Sequence, residues 1–171
     1  MKRRVVITGM GAISPIGNTV DEMWNSAKNG KNGVTPITKF DTENFKVKVA
    51  AEVKNFDPSP VLSPSEAKKY DLFVQYAVVA AAEAFAHSKL DMTQTDPTRC
   101  GTLISSGIGG IGTISQAQVR GESKGYDRVS PYFIPTSITN MAAGGVAINH
   151  GRKGKCSCVV TACAGGTFAI G

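Results

Sequence analysis

The chain has 171 residues, a length typical of one compact domain. Hydrophobic residues make up 42% and charged residues 19%, which is enough apolar material for a core and excludes wholesale disorder. The formal net charge of +6 favours an acidic partner, whether nucleic acid, an anionic membrane surface or an acidic protein. The 19 glycines indicate tight turns and close backbone approaches.

The spacing of the cysteines and the lack of long apolar runs favour a reducing cellular compartment. No apolar run approaches the roughly 18 residues of a transmembrane helix, and the short run after the basic start is too short for a secretory signal. Three of the four cysteines fall within the eight residues 156–163, which fits reduced thiols better than a disulfide framework. Their spacing does not match a zinc site. We therefore expect a cytoplasmic location, no membrane span and no metal.

The first predicted strand is Arg4–Thr8, a continuous apolar run typical of a strand buried on both faces. The glycine-rich stretch 9–17 follows it and partly matches a dinucleotide-binding loop. However, Ser14 stands where that motif needs its third glycine, and Pro15 blocks the start of the required helix. We interpret the stretch as a turn that needs glycine.

Two capping patterns predict the next helices. Thr19 and the glutamate three residues later fit a capping box, and Asn29-Gly30 is a helix-stop signal. After a predicted strand at 46–53, Ser63 and Glu66 form a second capping box around Pro64. Apolar residues at helical spacing predict that this helix continues without a break past Tyr70 to about residue 87.

The remaining elements alternate between strand and helix. The predicted order is a strand at 100–105, a helix to about residue 120, a polar loop at 121–129, a helix at 136–149 and a β-rich run at 156–161. This alternation predicts an α/β fold with a largely parallel sheet.

The richest chemistry lies where the last strand ends. Cys163 follows this strand and precedes what reads as a helix, so its side chain should project at the carboxyl edge of the sheet. A helix N-terminus stabilises a thiolate, and the Cys163 N–H can help to stabilise an oxyanion. From spacing alone, a nucleophile and a buried inert cysteine remain equally open for Cys163, whereas the inert interpretation fits Cys100, Cys156 and Cys158.

Several motifs in a fixed order resemble the β-ketoacyl-acyl-carrier-protein synthases, most closely their synthase II branch. The matching stretches are Arg4–Asn18, Phe40–Thr42, Ser105–Gly110, Val129–Pro135, Asn140–Gly144 and Thr161–Cys163. The resemblance implies a thiolase-like fold, a mixed sheet with helices on both faces, of which this chain would form the N-terminal half. It also implies a decarboxylating Claisen condensation, in which malonyl-carrier protein reacts with an acyl group held as a thioester on Cys163.

The resemblance also implies roles for other residues. Ile108 and Phe133 match positions that line acyl pockets, Phe133 reaching that of the neighbouring subunit in a homodimer. Lys68 and Lys69, with Lys124 and Arg128 as weaker candidates, match basic positions that dock an acidic acyl carrier protein. No cofactor is implied for this chain, since the partner carries the phosphopantetheine. Gly165 departs from the family, which usually has a small non-glycine residue there, often serine.

The length is the largest departure. We expect residues 1–171 to be the N-terminal part of the synthase domain, cut off after the nucleophile, because the resemblance places two decarboxylation histidines in a second half. His87 and His150 match neither of them. We therefore expect no condensation by this chain alone. The alternatives are a non-catalytic half-synthase that acts as an interaction module and a polyketide-type ketosynthase. Nucleic-acid binding ranks far behind, for want of a basic cluster.

Overall fold

A computed structural model describes residues 4–171. The helices assigned within them are α1 (Val20–Lys28), α2 (Pro64–Ala67), α3 (Leu72–Ser88), α4 (Ile111–Lys124), α5 (Phe133–Ser137), α6 (Met141–Asn149) and α7 (Gly165–Ile170). The strands are β1 (Val34–Pro36), β2 (Val49–Ala51), β3 (Thr102–Ser105) and β4 (Cys156–Val159). Short 3₁₀ turns occupy Pro97–Arg99, Tyr126–Arg128 and Ala162–Ala164.

The strands form two separate pairs. β3 and β4 are parallel, with Thr102 opposite Cys156, and β1 and β2 form an antiparallel hairpin. From β3 to α7 strands and helices alternate as predicted, but the predicted largely parallel sheet is reduced to one two-stranded pair. The hairpin strand β1 lies in a stretch whose sequence carries no strand pattern.

The predicted first strand, Arg4–Thr8, is wrong as a structural element. Its residues pair with no strand among residues 4–171, and Val5 is 93% exposed. A continuous apolar run is stable as a strand only when other elements cover both of its faces and pair with its edges. The described chain provides no such neighbours, so the run forms no strand and its side chains stay exposed.

The core lies between α3 and α6. Val74 and Val78 on α3 are fully buried and cluster with Leu62 and Val146. The backbones approach closely because α6 presents a glycine there: a Cβ on Gly145 would lie 2.8 Å from Val74 Cγ1. α6 also packs on β3 and β4, so this core backs the parallel strand pair.

The helix predicted from Ser63 to about residue 87 is instead two helices. The Ser63 capping box is present as predicted, but α2 ends at Ala67 and a second helix, α3, begins after Asp71. Asp71 has an extended backbone and its carboxylate accepts the Phe73 N–H, which makes it a second N-cap. Gln75 Nε2 donates to the Ala67 and Tyr70 carbonyls, so the break leaves these two acceptors satisfied.

The glycine-rich stretch lies against α3. A Cβ on Gly11 would sit 1.8 Å from the Ala80 carbonyl oxygen, so this backbone contact excludes any side chain. The Glu83 carboxylate fixes the same stretch, because it accepts the N–H of Ala12 and that of Val20, each at 2.8 Å. Glycine is thus needed at this position for close approach to a helix more than for the turn that we expected.

Other boundaries shift by local capping. The helix predicted at 136–149 is split into α5 and α6 by the extended backbone of Ile138, and α4 continues to Lys124 inside the predicted polar loop. α1 starts after Thr19 as predicted, with the Thr19 hydroxyl accepting the Glu22 N–H. Within residues 4–171, no helix has the length and apolar character needed to cross a membrane.

One titratable group, His150, is partly buried beside the core. The His150 ring stacks on Phe85 with ring centroids 4.5 Å apart, and its Nε2 lies 3.4 Å from the Val78 carbonyl oxygen. Burial lowers the pKa of His150 below its ordinary value, and the nearby Arg152 charge lowers it further, against a raising effect of the Val78 carbonyl. The folded chain therefore favours the neutral ring more than the unfolded chain does.

This difference predicts acid sensitivity near neutral pH. The unfolded chain binds the proton of His150 more tightly than the folded chain does. The neutral His150 ring therefore contributes to the stability of the folded chain above about pH 6.5, and this contribution is lost as the pH falls below that value. We expect the midpoint of urea unfolding to drop between pH 7.5 and pH 5.5, and the drop to shrink in His150→Phe. An unchanged drop in His150→Phe would contradict this assignment.

Candidate active site

The two parallel strands bring two loops to one edge. Because β3 and β4 run side by side with Ser105 opposite Val159, their carboxyl ends meet at the same edge. The segment 106–110 leaves β3 there, and the turn that carries Cys163 leaves β4 there. The structure therefore places Cys163 and the loop of Ile108 at one edge, as the sequence predicts for an active site of an α/β fold.

Cys163 lies in the 3₁₀ turn between β4 and α7, with an exposed side chain. The preceding Ala162 has φ +47°, a left-handed conformation that costs a non-glycine residue on the order of 1–2 kcal/mol. The Ala164 N–H donates to the Thr161 carbonyl at 3.1 Å and closes the turn. The strained turn presents a free thiol directly before the first residue of α7.

The start of α7 presses on the end of β3. Gly165 is buried, and a Cβ there would lie 1.9 Å from Ser105 Oγ and 2.8 Å from Ser105 Cβ. This contact gives a physical reason for glycine where the resembling family usually has a larger residue. It also ties the cysteine turn to the loop that follows β3.

The two predicted pocket residues lie on neighbouring segments. Ile108 is 61% exposed in the loop after β3, and Phe133 is half-buried at the start of α5. The loop is fixed to the end of α5, because the Gly110 N–H donates to the Ser137 carbonyl at 2.9 Å. Ile108 and Phe133 thus lie on two segments that this hydrogen bond joins.

The four basic candidates fall into two groups. Lys68 and Lys69 are exposed in the turn between α2 and α3, beside the Asp71 cap. Lys124 is exposed at the end of α4, and Arg128 follows in the next 3₁₀ turn, where it pairs with Asp127 at 3.4 Å. Thr113, in the first turn of α4, contacts Asp71, so some eleven helical residues, about 16 Å, separate the two groups.

Neither histidine is engaged with the cysteine turn. His87 Nδ1 accepts the Met10 N–H, and the His150 ring packs against Phe85. A groove of about 740 Å³ lies elsewhere, between the segment from Ile13 to Asn18 and α1, and does not include Cys163. The described residues contain no group of three or more His, Cys, Asp or Glu side chains placed to hold a metal ion.

Comparison with known families and proteins gives a consistent result. Residues 2–171 match the family model of the β-ketoacyl synthase N-terminal domain. The chain is 48% identical over 169 residues to 3-oxoacyl-[acyl-carrier-protein] synthase 2 of Staphylococcus aureus strain COL, covering 99% of this chain and 41% of that protein. It is 45% identical over 170 residues to the Coxiella burnetii synthase of the same name, with the same coverage. The chain thus spans about two fifths of the length of these relatives.

Solved structures agree on the fold. The ishigamide ketosynthase/chain length factor superimposes with a TM-score of 0.82 at 27% identity, over 94% of this chain and 40% of that one. A β-ketoacyl synthase from Burkholderia phymatum STM815 gives 0.77 at 25% identity, over 99% and 42%. The predicted fold class is therefore confirmed: the chain has the thiolase-like α/β fold of ketosynthases, over the part that it spans.

The Gly165 contact predicts a position-specific stability loss. Gly165→Ala must displace Ser105 and should lower the free energy of unfolding by roughly 1–3 kcal/mol. Gly166→Ala is the matched control, because a Cβ there meets nothing within 4 Å and alanine favours a helix by about 0.5–1 kcal/mol. Ser105→Ala in the Gly165→Ala background should recover part of the loss, since it removes the nearer atom. Equal urea midpoints for the two alanine variants would contradict the contact.

Proposed function

We propose, since this chain belongs to the β-ketoacyl synthase family, that Cys163 accepts an acyl group from an acyl carrier protein as a thioester. The observation that carries the proposal is the exposed free thiol in a strained turn at the carboxyl edge of the parallel strands. The names of the relatives support this substrate class, since both matched proteins are called 3-oxoacyl-[acyl-carrier-protein] synthase 2.

The acylation step follows from the properties of sulfur. The Cys163 thiolate attacks the thioester carbonyl, and the carbonyl oxygen takes up negative charge that the Cys163 N–H can stabilise. The carbonyl then re-forms as the bond to the carrier breaks, leaving the acyl group on Cys163 and a thiolate on the phosphopantetheine of the carrier. The chain needs no cofactor of its own for this exchange.

The whole family reaction continues with a malonyl group. Loss of carbon dioxide from malonyl-carrier protein yields a carbanion equivalent that attacks the Cys163 thioester, forms a carbon–carbon bond and expels the Cys163 thiolate. Both described histidines are engaged away from the cysteine turn. We therefore assign acylation to these residues and the condensation to a longer synthase. An intact nucleophile argues against the alternative of a non-catalytic interaction module.

The proposed role of the exposed basic side chains is to bind the acidic carrier protein. Lys68 and Lys69 lie side by side and exposed, on a turn whose neighbour Asp71 contacts α4 at the cysteine edge. We favour them over Lys124 and Arg128, because those two lie at the far end of α4 and Arg128 already has an acidic neighbour. Complementary charge accelerates encounter with an acidic partner more than it adds affinity.

A homodimer of the longer synthase is part of the same proposal. α4 and α5 pack together and leave large apolar side chains exposed, among them Ile111, Ile134 and Ile138. Exposed apolar surface of this kind marks interaction sites. A second subunit there would lie next to Phe133, which is the residue that the resemblance assigns to the neighbouring pocket.

The cysteine assignment predicts where an acyl label appears. After incubation of the chain with an octanoyl-carrier protein, peptide mass spectrometry should find the octanoyl group on Cys163, and Cys163→Ser should abolish it. Cys156→Ser is the matched control, because Cys156 is also exposed but lies within β4, and it should label normally. With malonyl-carrier protein added, we expect no β-ketoacyl product. A product that disappears in Cys163→Ala would overturn the assignment of condensation to a longer synthase.

The docking assignment predicts a local charge effect. The double variant Lys68→Glu/Lys69→Glu should weaken carrier binding by about fivefold or more at low salt, measured by titration calorimetry, with a smaller difference at high salt. Lys46→Glu/Lys48→Glu makes the same change in net charge near the β1–β2 hairpin and should bind within twofold of the parent. Equal losses in the two variants would show that only net charge matters and would contradict docking at Lys68 and Lys69.

A further inference from the structure

One carboxylate joins the docking turn to the pocket loop. Asp71 is half-buried, and its Oδ1 accepts the Phe73 N–H at 3.3 Å as the N-cap of α3. Its Oδ2 accepts the hydroxyl of Thr113, which lies 42 residues away in the first turn of α4. Asp71 forms no ion pair within the described residues, so the interaction of its Oδ2 is the hydrogen bond from Thr113 in α4.

The same oxygen lies against the start of α4. Gly110 is the N-cap position of α4 and has no side chain with which to cap it. A Cβ on Gly110 would lie 3.0 Å from Asp71 Oδ2 and 2.1 Å from the Thr136 carbonyl oxygen. The loop that carries Ile108 is therefore held between Asp71 on one side and α5 on the other.

The contacts continue to the second pocket residue. The Gly110 N–H donates to the Ser137 carbonyl at 2.9 Å. The Thr136 hydroxyl donates to the Tyr132 carbonyl at 2.7 Å, with the Phe133 carbonyl 3.1 Å away. Lys69 stands two residues before Asp71, and Ile108 stands two residues before Gly110. These contacts form a continuous path from the docking turn through Asp71 to the loop of Ile108 and to α5.

We infer that Asp71 is a positioning residue that sets the Ile108 loop, and with it the acyl chain lengths that Cys163 accepts, according to the position of the carrier-docking turn. This inference rests on the proposed function. Asp71 touches no reacting atom; it acts through Thr113 and Gly110. The bond between Asp71 and Thr113 is the connection between the two segments, whereas the cap to Phe73 supports α3 alone.

Two variants break this connection from opposite sides. Thr113→Val removes the hydroxyl and leaves the Asp71 cap intact, while Asp71→Ser keeps a capping oxygen that is too short to reach Thr113. Thr98→Val is the matched control, because the Thr98 hydroxyl also donates to an aspartate, Asp96, within a local cap. The rates of Cys163 acylation by octanoyl-carrier and hexadecanoyl-carrier protein are compared in each variant by mass spectrometry.

The expected result is a change in selectivity. The ratio of the two rates should change by about three- to tenfold in both Thr113→Val and Asp71→Ser, the range expected for the net contribution of one typical hydrogen bond, and should not change in Thr98→Val. The double variant should change no further than either single one. A merely structural role would lower both rates together, and an unchanged ratio in the two variants would overturn the inference.

A second measurement needs no chemistry. Hydrogen exchange at the Gly110 amide should accelerate in Thr113→Val and Asp71→Ser relative to the parent and to Thr98→Val, since the loop loses one of its two supports. If the parent chain is not acylated at all, the proposed function fails, and the exchange result still decides the positioning. Parent-like exchange in both variants would then overturn it.

Discussion

Close backbone approach to α3 is the constraint on which the rest of the molecule depends. On one side the glycine-rich stretch lies against Ala80, where Gly11 leaves no room for a side chain. On another side α6 approaches Val74 and Val78 through Gly145, and the buried cluster forms at that contact. Small residues at both contacts let dispersion act over short distances. α3 therefore holds the N-terminal stretch and α6 at once, and α6 in turn backs the two parallel strands.

The candidate site inherits its geometry from this arrangement. α6 supports β3 and β4, and the parallel register places both strand ends at one edge. The Gly165 contact with Ser105 then joins the cysteine turn to the neighbouring loop. Strain at Ala162 persists only because the strand before it and the helix after it are both fixed. The position of the Cys163 thiol thus depends more on the packing of the surrounding helices and strands than on the residues next to it in the sequence.

Features that depend on neighbouring residues in the sequence could be predicted, and features that depend on distant partners could not. The Ser63 capping box and the Cys163 turn were both correct, because local capping and strand-to-helix turns leave a local pattern. The strand at Arg4–Thr8 was wrong, because burial on two faces needs partners that the described chain does not offer. Asp71 was missed as a helix start, since continuous apolar spacing hid the cap, and no pattern could show that its carboxylate reaches Thr113.

The two steps of the family reaction, acyl transfer and condensation, differ in how well they tolerate the water at an exposed cysteine edge. Thiol–thioester exchange replaces one thioester by another, and neither partner is destroyed quickly by contact with water, so the exposure of Cys163 is compatible with the proposed acylation. A malonyl-derived carbanion is a strong base, and water next to it would supply a proton before carbon–carbon bond formation. Condensation therefore requires a covered site, as closed active sites in general exclude water from reactive intermediates. In the described chain Cys163, Ile108 and Phe168 are all exposed at or beside the cysteine turn, so the described residues do not by themselves exclude water from this edge.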